Sequence, residues 1–193
     1  MTPRNRKSRG CDGRDWRALC TERSAAGAWL RETGSLTRRL QHSGTTIVRL
    51  LCQELRRPLD DERRVLQLRA GRVVPVREVV LSVQDRAVVY AHTAANPAAL
   101  RLLRRVGRRA LAAVLFTDPL VVAGPLYYRH LDARHALYRA AASWCEDRVP
   151  RRLAARRALF ARGAARLLVT EVFLPCLEAP ADRRLSPTLE SCR

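Results

Sequence analysis

The sequence predicts one α+β domain built on an antiparallel β-sheet, with short helices grouped between its strands. Two hairpins and one absence carry this reading. Val73–Gln84 and Ala87–Thr93 are apolar runs around a short polar turn, Gln84-Asp85-Arg86, and a second hairpin turns near Gly163 into Arg166–Pro175. Strands and helices do not alternate as they do in a βαβ chain, and the Gly-rich loop of a nucleotide site is missing. With 193 residues the chain is long enough for one sizeable core. Residues 1–13 are expected to form a disordered basic arm, 14–179 the domain, and 180–193 a loose tail.

Asp15–Cys20 and Ala25–Arg31 read as short helical pieces that bury Trp16, Leu19, Trp29 and Leu30. Gly34 then stops the chain, and Ser35 is placed to cap a turn that presents Leu36 and Leu40 inward. Thr45–Leu55 is β-leaning and reads as the first strand. Arg56–Gly71 is a charged connection with room for one short helix. Asn96-Pro97 opens a helix with Asn as cap and Pro at its first position, and Gly107 ends it. Ala110–Phe116 is a second short helix, and Leu120–Arg129 a strand bent at Gly124-Pro125. Leu131–Arg157 fits no single pattern, although Ala136–Cys145 could be helical, and Ala158–Ala161 enters the last hairpin.

Composition narrows the function classes. The net charge is +19, yet every one of the 37 basic residues except Lys7 is arginine, and they are spread along the chain. That is the mark of codon usage biased toward G and C, and it predicts solubility and steering of anions with no nucleic-acid partner. The six cysteines form no Cys-x-x-Cys pair and meet no histidine at metal-ligand spacing, so no metal is predicted. Free thiols in a reducing, cytoplasmic compartment are expected. The longest apolar run, Ala110–Phe116, is far shorter than the ~20 residues that span a bilayer, so no membrane insertion is expected.

Two charges break the apolar pattern. Alternation along Arg166–Pro175 puts Glu171 on the face of Leu167, Val169 and Phe173, while the other face is also apolar, as in a central strand. In Val73–Gln84, Arg77 shares a face with Val79, Leu81 and Val83. A buried unpaired charge costs several kcal/mol or more, so each finds a counter-charge, a ligand or a proton. Pattern alone leaves two outcomes open: a structural ion pair between them, or a cavity in which Arg77 grips a carboxylate and Glu171 transfers a proton. His92 stands on the strand paired with that of Arg77 and could line the same cavity, or be an ordinary core histidine. Leu111, opening a helix, could offer a free backbone N–H to an anion, or be an ordinary core leucine.

Four segments in this order resemble the chorismate pyruvate-lyase family. They are Trp29-Leu30 with Gly34-Ser-Leu-Thr-x-Arg-Leu40, Val76-Arg-Glu-Val-Val-Leu81, Val88-Val-Tyr-Ala-His-Thr93 with Leu111-x-x-x-Leu-Phe116, and Leu167–Pro175. The resemblance spans most of residues 29–176. It implies a chorismate lyase-like domain whose ligand is buried beneath helical flaps, one from Gly34–Leu40 and one around Leu111. It further implies that Arg77 and the Leu111 amide hold the ring carboxylate, that Glu171 faces the oxygen at the far end of the ring, and that Leu36 closes over it. The reaction implied is removal of the pyruvyl group from chorismate by a monomer, without cofactor, giving 4-hydroxybenzoate and pyruvate for ubiquinone synthesis. A non-catalytic, small-acid-binding domain of the related ligand-sensing fold is the alternative. The chain departs from the family at Ala110-Leu-Ala112, where Pro-Leu-Gly is common, and at His92, where Arg is frequent. Leu131–Arg157 reads as more helical than the strand-rich equivalent of the family.

Overall fold

The computed structural model describes residues 15–23, 25–107, 109–146 and 149–177. The expected disordered arm at 1–13 and loose tail at 180–193 lie outside the described residues. The strands are β1 (Thr46–Arg56), β2 (Val74–Val83), β3 (Arg86–Ala95), β4 (Val122–Ala123), β5 (Tyr127–Leu131), β6 (Leu153–Arg162) and β7 (Ala165–Phe173). All pairings are antiparallel, in the order β1-β2-β3-β7-β6, with β4 and β5 sharing the outer edge of β6. The helices are α1 (Ala25–Leu30), α2 (Leu36–Ser43), α3 (Asp60–Val65), α4 (Leu100–Val106), α5 (Ala112–Leu115) and α6 (Ala136–Ala142).

Local sequence explains most of this. The β2–β3 hairpin turns on Gln84 and Asp85, whose φ angles of 49° and 63° are the left-handed backbone conformation that lets a two-residue turn match the right-handed twist of its strands. Ser35 caps α2 by accepting a bond from the Arg38 amide at 3.2 Å, so Leu36 and Leu40 point into the core. Gly107, at φ 55°, ends α4. Gly124-Pro125 breaks the outer edge, so the expected bent strand becomes two pieces, β4 and β5.

Three expectations change. Asp15–Cys20 is not helical: Arg17 pairs with Tyr128 as a β-bridge, and Leu19 is 74% exposed, although Trp16 is buried. Asn96 does not cap with its side chain; it bonds Ala164 and Arg166 across the β6–β7 turn, and a 3-10 turn at Pro97–Ala99 precedes α4. The segment 131–157 is more strand-rich than expected, because β6 starts at Leu153 and α6 is only 7 residues long. Two adjacent arginines, Arg156 and Arg157, masked that strand in the sequence, since arginine is rarely buried.

Each face of the sheet has its own core. On one, α1 and α2 pack Leu30, Leu36 and Leu40 on Leu81, Val89 and Phe173. Toward the other end of that face, α4 and α5 bring Leu102, Leu103 and Leu115 against Phe160 and Leu167. The opposite face carries α3 and α6, with Trp16, Tyr90, Leu137 and Val172 buried there. The two helical flaps on the first face are left astride a gap.

Candidate active site

The gap is a cavity of about 480 Å³, in the range of small-molecule sites. Arg77 enters from β2 and Glu171 from β7, two strands apart, because β3 lies between them. Arg77 is level with Thr93 and Val169, and Glu171 with Ala91 and Val79. Two strand spacings and two residue rises separate their Cα atoms by ~12 Å. The two charges share a void instead of closing on each other.

Arg77 is 1% exposed and has no carboxylate partner among the described residues. Its Nη1 donates to Gln53 Oε1 and to the Gly107 carbonyl, both at 2.7 Å, and Nη2 donates to the Arg109 carbonyl at 2.8 Å. Nε is buried and unpartnered. The Nε–H and one Nη2–H remain unused, on the guanidinium edge that grips a carboxylate with two prongs. Burial pushes the pKa of this guanidinium down, which an arriving anion would relieve. The two carbonyls belong to the loop that leads into α5, so the same side chain fixes the second flap.

Glu171 is paired, but with Arg156. Arg156 lies directly opposite on β6 and donates from Nε to Glu171 Oε2 at 2.6 Å. Its Nη1 bonds the carbonyls of Trp29 at 3.1 Å, Leu30 at 3.3 Å and Glu32, tying the first flap to the sheet. Sequence reading missed Arg156. The alternation Ala154, Arg156, Ala158, Phe160 could have revealed it, being the same two-residue period that exposed Glu171.

Leu36 lines the cavity from α2, and Leu111 lines it from the head of α5, where its amide donates to no described residue. His92 is a correction, because it does not line the cavity. Thr93 and Ala91 face inward, so alternation sends His92 to the opposite face, level with Glu78 and Thr170. There its Nε2 lies 3.0 Å from Glu62 Oε1 and its Nδ1 3.1 Å from Glu78 Oε1. Burial alone pushes the His92 imidazolium down, but the two carboxylates outweigh it and hold its pKa up at about 9. The hydrogen bond from His92 brings the Glu78 carboxyl to about 2 against the effect of burial.

No cluster of ligating side chains able to hold a metal occurs among the described residues, and none of their helices is long and apolar enough to cross a membrane.

An antiparallel sheet with helical flaps on one face defines a class of α+β fold. PhnF from Mycobacterium smegmatis shares it, with a TM-score of 0.55 and 16% identity over 77% of this chain and 67% of that one. So does a ligand-binding domain assigned to the GntR family of transcriptional regulators from Bordetella bronchiseptica (TM-score 0.52, 18% identity, 68% of this chain and 86% of that one). At such identities the likeness concerns the fold alone. Sequence is more specific: residues 18–179 match the family described as chorismate lyase, and the chain belongs to that family of carbon–oxygen lyases. A "Probable chorismate pyruvate-lyase" of Ralstonia nicotianae is 40% identical over 157 residues, covering 77% of this chain and 80% of that protein. One of the same name from Nitrosomonas eutropha is also 40% identical, over 154 residues, covering 77% and 86%.

Proposed function

We propose that the protein removes the pyruvyl group from chorismate, giving 4-hydroxybenzoate and pyruvate, with Arg77 as anchor and Glu171 as the proton-transferring residue. The observation that carries this reading is the shared cavity, with an unneutralised guanidinium at one side and a carboxylate set two strands away. Chorismate has a ring carboxylate, and on the far side of the ring a hydroxyl beside an enolpyruvyl ether. The ring carboxylate takes the free edge of Arg77, and the Leu111 amide adds a second donor. This turns the hydroxyl and ether toward Glu171.

The elimination removes the ring hydrogen from the hydroxyl-bearing carbon. The C–H electron pair becomes the new ring double bond, the neighbouring C–O bond breaks, and enolpyruvate leaves with the C–O pair and gains a proton to become pyruvate. Aromatisation drives the reaction, so the protein has only to orient, exclude water and move a proton. Glu171 handles the proton, and Leu36 closes over the ring from the first flap. The protein acts as a monomer in the cytoplasm without nucleic acid, and the aromatic acid feeds ubiquinone synthesis. The test is direct: purified protein mixed with chorismate should release 4-hydroxybenzoate and pyruvate in equal amounts.

The fold shared with the Bordetella bronchiseptica ligand-binding domain favours a second reading, in which the cavity binds a small acid without converting it. Tight binding of chorismate with no pyruvate released would select that reading.

A further inference from the structure

His92 lies on the other face of the sheet, so it supplies no cation to the cavity. On the proposed lyase reading, on which this inference rests, the substrate carries two carboxylates, and Arg77 accounts for the one on the ring. Arg77 and Arg156 are the two basic side chains that line the cavity among the described residues. Arg156 is 3% exposed, with Nε committed to Glu171 and Nη1 to the carbonyls of Trp29, Leu30 and Glu32. Its Nη2 donates to no described residue, and it is not among the atoms sealed away from solvent without a partner. A guanidinium held this firmly on two of its nitrogens presents the third, with two N–H donors, in a fixed direction.

The geometry points to Arg156 as the receptor for the second carboxylate, that of the three-carbon enol ether. The ether sits on the ring carbon next to the one bearing the hydroxyl. A substrate anchored on Arg77 and turned toward Glu171 therefore brings its side-chain carboxylate to Arg156 as well. Across three strand spacings and two residue rises the Cα atoms of Arg77 and Arg156 are ~16 Å apart, enough for two inward side chains to bracket a dicarboxylate. The same guanidinium holds the first flap, so the second carboxylate settles against a group that also marks the flap as closed. Charge that develops on the departing enolpyruvate meets a preorganised cation.

Calorimetry with three stable aromatic probes tests this. 4-Hydroxybenzoate has only the ring carboxylate; 3-(1-carboxyvinyloxy)benzoate has both; the methyl ester of its side-chain acid restores the count to one. Wild type should bind the diacid about 30-fold tighter than the ester. Arg156→Gln should erase most of that ratio, with 4-hydroxybenzoate and the ester weakened by a common factor smaller than the loss for the diacid. Arg156→Lys, which keeps the charge but not the fork, should lie between. Equal binding of acid and ester by wild type overturns the assignment, and this comparison needs no variant to fold. So does an equal loss for all three probes in Arg156→Gln, the mark of a residue that only supports the fold. A wild type that prefers the diacid yet releases no pyruvate from chorismate sinks the lyase reading and leaves this site standing.

Discussion

Arg77 and Glu171 lie on one face of the sheet, and the proposed function gives them different work. Arg77→Ala should raise the KM for chorismate about 30-fold or more while lowering kcat far less, because it removes an anchor shared by ground and transition states. Glu171→Gln should do the reverse, lowering kcat about 100-fold or more with a small change in KM, as expected for a group acting in proton transfer. Steady-state pyruvate release measures both. Equal effects on KM and kcat in the two variants would remove the division of roles. Both positions were legible in the sequence, since a charge in an apolar alternating run is conspicuous. Arg156 was not legible, because one more arginine among 37 basic residues carries no signal until its strand is known. His92 was misplaced for a simpler reason: a hairpin partner shares a sheet, and the face it uses depends on register.

Among the elements, the first flap rests on a short helix whose start is fixed by Ser35 and whose underside is Leu36 and Leu40. Leu40 is fully buried, and Leu40→Ala should cost about 2–5 kcal/mol in chemical denaturation. Leu36 faces the cavity as well as the core, so Leu36→Ala should both destabilise the fold and speed the release of 4-hydroxybenzoate, read by stopped-flow displacement. An unchanged release rate would mean that the flap does not gate the site. On the other face, α3, β2 and β3 meet at Glu62, Glu78 and His92. The His92 pKa of about 9 lies above its ordinary 6.5, so the stabilisation is complete below pH 6.5 and is lost as pH rises through 9. Glu78 falls from 4.5 to about 2, so its contribution is present above pH 4.5 and is lost as pH falls through 2. Urea unfolding should therefore show a progressive loss of stability as pH rises from 6.5 through 9. In His92→Gln that slope should be absent. The hairpin, α2 and the central strand could be read from turn, cap and period; β6 could not, because Glu171 on β7 and Asp61 in α3 neutralise Arg156 and Arg157, which in isolation read as surface.

For the whole molecule, the charge of +19 is partly internal. Arg77, Arg156 and Arg157 are buried, and Arg157 is bonded to Asp61 at 2.8 Å and stacked over Trp16 at 4.2 Å. Because the proposed elimination draws its driving force from aromatisation, dialysis against EDTA should leave turnover of chorismate unchanged, and a loss restored by a divalent ion would contradict it. By itself the sequence determined the fold class, the main hairpins, the first flap and the two inward charges, since each follows from local period, turn chemistry or capping. Only the tertiary structure decided that those charges share a void, that Glu171 is held by Arg156, and that His92 faces away. Such facts depend on which strands lie side by side and in what register, and hydrogen bonds between β3 and β7, far apart in sequence, set both.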